Sequence, residues 1–97
     1  MKNRNLMQNA VEKWGEEAQM DMIIEKSLKL ATAINILKRQ NHKEDHASYS
    51  IAYNEVCERV ADMRLMIEQS EFLFNTNEIN NHYQNKLEYL AKSLNEF

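Results

Sequence analysis

The stretch "DMIIEKSLKLATAI", residues 21–34, decides the fold because its apolar residues recur at helical spacing over about four turns. Lys26 and Lys29 lie three residues apart on one side of this segment, close to its apolar seam. Extended in both directions, the pattern predicts one long helix from Glu16 to Gln40. The predicted seam of this helix consists of Met20, Ile23, Ser27, Leu30, Ile34 and Leu37.

Three further helices are predicted around this one. A short helix over residues 4–13 precedes Gly15, and a third helix runs from about Ala47 to Phe74 after the polar segment "NHKEDHAS". The segment "NTNE" interrupts the pattern before a fourth helix, with Thr76 as the candidate N-cap. The apolar stripes are Val56, Val60, Met63, Ile67 and Phe74 on the third helix, and Ile79, Tyr83, Leu87, Leu90 and Leu94 on the fourth.

The composition agrees with a single helical domain over residues 1–97. The chain contains no Pro and one Gly, which favours long uninterrupted helices. We therefore predict an all-α fold in which the two long central helices are antiparallel. A chain of 97 residues buries a limited part of its surface, so we expect a homodimer or homotetramer to complete the core.

Charge and hydropathy indicate which partners and which cellular location to expect for this protein. The formal net charge of −3 provides no general attraction to nucleic acid, so no long nucleic acid partner is expected. The chain has no apolar run of about 18 residues, which predicts no membrane span. Its N-terminus has no apolar signal core, and this predicts a cytoplasmic protein.

Two segments, "VEKWGEEAQMDMIIE" (residues 11–25) and "ERVADMRLMIEQ" (residues 58–69), resemble the MazG-like nucleotide pyrophosphohydrolases, especially the short phage-type members. The resemblance covers the chain from about Leu6 to Leu94. It implies an all-α fold, dimers or tetramers, and hydrolysis of nucleoside triphosphates to monophosphates and pyrophosphate. In that family, an ExxE motif and an ExxD motif on successive helices gather Mg²⁺, a hard cation that requires oxygen ligands.

The carboxylates of that signature are mostly replaced in this chain. The alignment assigns the ExxE positions to Lys26 and Lys29, and the ExxD positions to Arg59 and Asp62. A protonated Lys or Arg has only hydrogen-bond donors and cannot ligate a metal. The replacements therefore predict no metal site, no cofactor and no family-type hydrolysis.

The same replacements predict a site for phosphate. Lys26, Lys29 and Arg59 put fixed positive charge where the family has a metal between carboxylates and phosphates. The resemblance adds Lys86, in "YQNKLEYL" (residues 83–90), as a fourth phosphate contact. It also suggests Trp14 as a contact to a base or a sugar. Gln19 is a second candidate for that contact.

A structural alternative explains the cations without a ligand. Pairs of opposite charge at i,i+3 and i,i+4 are common on solvated helix faces and contribute about 0.2–0.5 kcal/mol each. Lys26 does not fit this account as well, because it has no acid three or four residues away. The spacing predicts the pairs Glu25–Lys29, Glu55–Arg59 and Arg59–Asp62.

Three functional hypotheses follow. The leading one is a catalytically inactive MazG-like protein that binds or sequesters a phosphorylated nucleotide, including a nucleotide signal used in antiviral defence. The second is residual Mg²⁺-dependent pyrophosphohydrolysis through Asp62 with Glu25 and Glu58, which lie one residue from the signature positions. The third is a non-catalytic structural or regulatory module that binds another protein. The pair His42 and His46 has metal-site spacing but lies in the polar connection, which favours a solvated loop.

Overall fold

The computed structural model describes residues 2–41 and 43–95, which form four helices and no strand. The predicted all-α class is therefore confirmed, and α2 and α3 are the two long central helices. The third helix ends at Ser70, four residues before its predicted end, because the backbone turns over residues 71–74. The elements are α1 (Lys2–Trp14), α2 (Glu16–Lys38), α3 (His46–Ser70) and α4 (Thr76–Asn95).

The starts of α2 and α3 have different local causes, a glycine turn and a side-chain cap. Gly15 has a φ of 87°, a conformation that favours glycine, and it separates α1 from α2. Asp45 is the N-cap of α3, where its carboxylate accepts hydrogen bonds from the backbone N–H of Ser48 at 3.0 Å and from the Ser48 hydroxyl at 2.7 Å. The backbone bond is the main reason that the pKa of Asp45 is lowered from its ordinary value.

The start of α4 differs from the prediction by one residue. The Asn75 side chain, rather than that of Thr76, accepts the hydrogen bond of the first turn, from the backbone N–H of Glu78 at 3.0 Å. Thr76 is the first residue of the helix, and its hydroxyl donates to the carbonyl of Glu71 at 3.3 Å. Asn and Thr are both good caps, so the sequence alone did not separate these neighbours.

The helices α2 and α3 pack as an antiparallel hairpin. Lys26 and Asp62 meet across the middle of the pair, while Gln19 near the start of α2 lines a cavity with Gln69 near the end of α3. The face of α2 toward α3 is formed by buried or half-buried residues at seven-residue spacing, namely Gln19, Lys26 and Ala33 together with Ile23, Leu30 and Leu37.

The predicted rotation of these two helices was partly wrong. On α2, Met20, Ser27 and Ile34 are exposed, although they were assigned to the seam. On α3, Val60 and Ile67 are exposed. Both helices carry apolar residues on more than one side, so the periodicity does not define which side faces the partner. The buried residues of α3 are Ala52, Met66 and Gln69.

The two outer helices differ in their packing. The first helix, α1, contacts both α2 and α3, and its Arg4 guanidinium lies 5.2 Å from the ring centre of Phe72. Within the described ranges, no Cα of α4 comes within 8 Å of a Cα of another helix. The predicted stripe of α4 is present, but all five of its residues are exposed.

Candidate functional site

A cavity of about 450 Å³ opens on one side of the α2–α3 hairpin, beside the end of α1. Trp14 reaches this cavity because the turn at Gly15 brings the last residue of α1 next to the first turns of α2. Trp14 is 59% exposed, and the Lys13 ammonium lies over its ring, 5.5 Å from the ring centre. The cavity is lined by Trp14, Ala18, Gln19, Asp21, Met22, Glu25, Met66 and Gln69.

Two buried amide side chains line this cavity. Gln19 is 5% exposed and Gln69 is 9% exposed, and neither side-chain amide forms a hydrogen bond within residues 2–41 and 43–95. The Oε1 atom of Gln69 is fully enclosed and has no donor among those residues. Buried polar groups are nearly always hydrogen-bonded, so the enclosed Gln69 Oε1 atom is the exception in this cavity among the described residues.

The central cations meet around one carboxylate in the hairpin seam. The Lys26 Nζ atom lies 3.8 Å from Asp62 Oδ2, and Arg59 Nη1 lies 3.3 Å from the same oxygen. Arg59 also contacts Glu55 Oε1, with both its Nε and its Nη2 at 2.7 Å. The hydrogen bond to Glu55 is the main reason that the pKa of Arg59 is raised. The fold thus supplies Lys26 with a carboxylate, whereas its own helix has none three or four residues away.

The third cation, Lys29, lies at the boundary between two cavities. Its Nζ atom is 2.9 Å from Glu25 Oε1, and the bond from Lys29 is the main cause of a lowered Glu25 pKa. Glu25 lines the cavity beside Trp14, whereas Lys29 lines a second cavity of about 270 Å³ on the same side of the hairpin. That second cavity is formed by Leu28, Lys29, Thr32, Ala33, Ile36, Glu55 and Arg59.

The charges of this region balance. Three cations, Lys26, Lys29 and Arg59, contact three carboxylates. All three pairs predicted from helix spacing are present, and the Lys26–Asp62 contact adds a link between the helices. A phosphate would therefore have to displace carboxylates that are already paired. Those carboxylates are Glu25, Glu55 and Asp62.

The remaining predicted residues lie elsewhere. Lys86 is on α4, apart from the cations of the hairpin, and it lines a groove formed only by α4 residues. Glu58 is exposed and lines neither hairpin cavity. His42 lies outside the described residues, and His46 is exposed at the start of α3. No group of three His, Cys, Asp or Glu side chains suited to a metal occurs in the part of the chain that the structure describes.

Gln69 is a site residue that the sequence pattern did not reveal. Its position could have been found from Asp62, because residues seven apart on a helix share a face and Gln69 lies two turns further along α3. Arg59 and Asp62 already interrupt the apolar pattern of α3, and that interruption is the signal for a further polar residue on the same side. Gln69 is also the residue whose enclosed acceptor lacks a partner within the described ranges.

Comparison with known proteins adds no relative. No protein-family model matches the chain, and no curated protein or solved structure is significantly similar to it. The MazG-like resemblance therefore remains a prediction from residues 11–25 and 58–69. Within the described ranges, no helix has the length and apolar character needed to cross a bilayer.

Proposed function

We propose that this chain binds a phosphorylated nucleotide without hydrolysing it. The observation that carries the proposal is the cavity beside Trp14, where two buried amides lack partners within the described ranges and Lys29 lies at the margin. Such a cavity offers a planar ring an aromatic face and hydrogen-bonding groups, while the adjacent cations offer contacts to phosphate.

The base would occupy the cavity beside Trp14. Stacking on an aromatic side chain contributes about 1–3 kcal/mol per base and tolerates any base. Gln19 can donate and accept, and the Gln69 amide nitrogen can add a donor, so together they can pair with the edge of a heterocycle. Met22 and Met66 supply the apolar walls, and Asp21 lies at the more exposed margin.

The phosphate would contact Lys29 and Arg59 in the second cavity. Their partners Glu25 and Glu55 are 51% and 43% exposed, so these carboxylates can return to water when a phosphate replaces them. Exposed ion pairs contribute only about 0–1 kcal/mol, whereas hydrogen bonds between charged groups and phosphate are among the strongest in proteins. Lys29 and Arg59 can therefore exchange their carboxylate partners for a phosphate, so a cluster without net charge can bind an anion.

The resemblance to MazG-like proteins supports the same proposal from the sequence. The positions aligned with the ExxE and ExxD motifs lie on facing sides of α2 and α3, where Lys26 contacts Asp62. In this proposal the chain is an inactive MazG-like protein of phage type that sequesters a nucleotide, including a defence signal, in the cytoplasm. It requires no Mg²⁺, and its copies assemble as a homodimer or homotetramer.

The test is a binding and turnover panel. The full chain is titrated calorimetrically with nucleoside triphosphates, cyclic mono- and dinucleotides, ADP-ribose and the matching nucleosides, each with Mg²⁺ and with EDTA. Chromatography then reports whether each ligand survives. We expect binding of an intact nucleotide in EDTA, and weaker binding of its nucleoside. Binding of no nucleotide would overturn the proposal.

Charge variants identify the phosphate contacts. Lys29→Glu and Arg59→Glu are expected to weaken nucleotide binding at least tenfold, while nucleoside binding changes little. Arg64→Glu is the matched control, because Arg64 is on α3 but its side chain is 83% exposed and lines neither cavity. Equal effects of Arg59→Glu and Arg64→Glu would contradict a specific phosphate contact.

Two other functions make different predictions. Residual hydrolysis through Asp62, Glu25 and Glu58 requires turnover that depends strictly on Mg²⁺. Two of these carboxylates are paired with cations, which disfavours it. A protein-binding module is favoured by the exposed apolar stripe of α4, and glutamate substitutions at the cations would then break association without affecting any small ligand.

A further inference from the structure

The fourth helix has an apolar side that no other described helix covers. Its stripe consists of Ile79, Tyr83, Leu87, Leu90 and Leu94, which are 37%, 50%, 43%, 55% and 69% exposed. No Cα of another described helix lies within 8 Å of an α4 Cα. Helices in proteins are stabilised mainly by packing their apolar side rather than by intrinsic helix propensity.

Hydrogen bonds order the corner between α3 and α4. The backbone N–H groups of Phe72, Leu73 and Phe74 donate to carbonyls at the end of α3 at 3.0 Å. Asn75 and Thr76 add two side-chain hydrogen bonds, to the N–H of Glu78 and to the carbonyl of Glu71. The chain thus passes from α3 to α4 through a hydrogen-bonded corner, and α4 leaves it without contacting another described helix.

The chain is more extended than a compact domain of its length. Its radius of gyration is 17.2 Å and its extents are 47 × 41 × 24 Å. A compact domain of about 100 residues has a radius of gyration of about 13 Å. The excess is explained by α4, which extends the chain without adding to its core.

The α2–α3 hairpin has an uncovered apolar face whose length is similar to that of the α4 stripe. Helix geometry, at about 100° per residue, puts one set of exposed apolar residues on the same side of α2 and α3, opposite the two cavities. We call this set the outer face; it consists of Met20, Ile24 and Ile34 on α2 and Tyr53, Val60 and Ile67 on α3. At about 1.5 Å per residue, it extends for about 21 Å and the α4 stripe for about 22 Å.

We propose that the α4 stripe of one copy covers the outer face of a second copy, and that the exchange is reciprocal. The occupant is a second copy because each chain supplies one uncovered stripe and one uncovered face of matching length. A reciprocal exchange covers both surfaces in both copies and closes, as a two-fold interface does. Two such contacts bury twice the area of one, which brings the total closer to the roughly 1,200–2,000 Å² that a stable protein–protein interface buries. The inference specifies the surface for the proposed homodimer and does not depend on a ligand.

The first measurement is the mass of the full chain by light scattering after gel filtration, over a range of concentrations. We expect a dimer that becomes a monomer when Leu90→Glu is introduced on α4, or when Val60→Glu is introduced on the outer face. Tyr89→Glu is the matched control, because Tyr89 is 74% exposed on the other side of α4. Far-UV circular dichroism verifies that each variant keeps the hairpin helices.

A mixing experiment separates exchange from a simple pairing of two α4 helices. The Leu90→Glu copy retains an intact outer face, and the Val60→Glu copy retains an intact α4 stripe. Mixed together, they are expected to form a heterodimer through one intact contact. A monomeric wild-type chain would overturn the assembly itself. A dimer that survives Leu90→Glu or Val60→Glu would overturn the exchange through α4, as would a mixture in which the two copies show no association even at the highest concentration measured.

Discussion

The α2–α3 hairpin buries polar residues, whereas α4 leaves its apolar residues exposed. The hairpin seam contains Lys26, Arg59 and two glutamines, while α4 exposes its whole apolar stripe. Of the two helices with a pronounced amphipathic pattern, α1 contacts α2 and α3, whereas α4 has no partner among the described helices. A strong pattern shows that a helix has an apolar side to cover, but not that the cover belongs to the same chain.

The comparison with α4 also explains why the hairpin leaves one apolar side exposed. Since α2 and α3 are apolar on more than one side, they pack one side against each other and leave the outer face exposed. Polar groups in a seam and apolar groups on a surface both break the usual pattern of burial. Such violations are expected at functional sites, which is why we assign the cavities to a ligand and the outer face to another copy.

The largest expected effect on the free energy of unfolding is at a buried residue of the α2–α3 hairpin. Met66 is 6% exposed in the seam, and Met66→Ala should lower the free energy of unfolding by about 2–3 kcal/mol through lost burial and a new void. Tyr89→Ala on α4 should change it by less than about 0.5 kcal/mol, because Tyr89 is on the exposed side. Urea unfolding followed by circular dichroism measures both, and similar losses would remove the distinction between the two regions.

The next effect concerns the seam charges. Asp62→Ala should destabilise the chain by about 1–3 kcal/mol, because it leaves Lys26 in the seam without a carboxylate. Lys26→Met should change the free energy of unfolding by less than about 1 kcal/mol, because Asp62 keeps its contact with Arg59 and the Met side chain fills the same space. The two variants are compared by urea unfolding. A larger loss for Lys26→Met would mean that the ion pair stabilises the seam beyond its packing.

A smaller effect of opposite sign is expected at Gln69. Gln69→Met should raise the free energy of unfolding by about 1 kcal/mol, because it removes an enclosed acceptor that has no donor within the described ranges. The same variant should weaken nucleoside binding about tenfold, which corresponds to about 1.4 kcal/mol. Gln84→Met, exposed on α4, is the control for both measurements. A stabilised variant with unchanged binding would make Gln69 a packing residue.

The smallest effect is the pH dependence of the α3 cap. Because folding lowers the pKa of Asp45 from its ordinary value of 3.8, the stability it contributes is present above that value and is lost as the pH falls through the folded pKa. Asp45→Asn keeps a capping side chain that does not titrate. The Tm of the wild type should exceed that of Asp45→Asn near neutral pH, and the two should converge in acid. Parallel curves would contradict a contribution from the carboxylate.

The sequence by itself determined the four helices and their approximate ends. Helix formation depends on groups within four residues, and the absence of Pro, the single Gly15 and the periodic apolar residues all act at that range. The ion pairs within one helix were predictable for the same reason, as Glu25–Lys29 shows. The sequence also identifies the cations at the signature positions, because it gives the type of residue at each of them directly.

Only the tertiary structure decided which sides of the helices meet. Ile34 and Ala33 are neighbours in the chain, and contacts with α3 determine that Ala33 is buried while Ile34 is exposed. The Lys26–Asp62 contact and the cavity shared by Gln19 and Gln69 join residues that are 36 and 50 positions apart. Local periodicity contains no information at that separation, because the rotation of a helix that is apolar on several sides is set by packing against its partner.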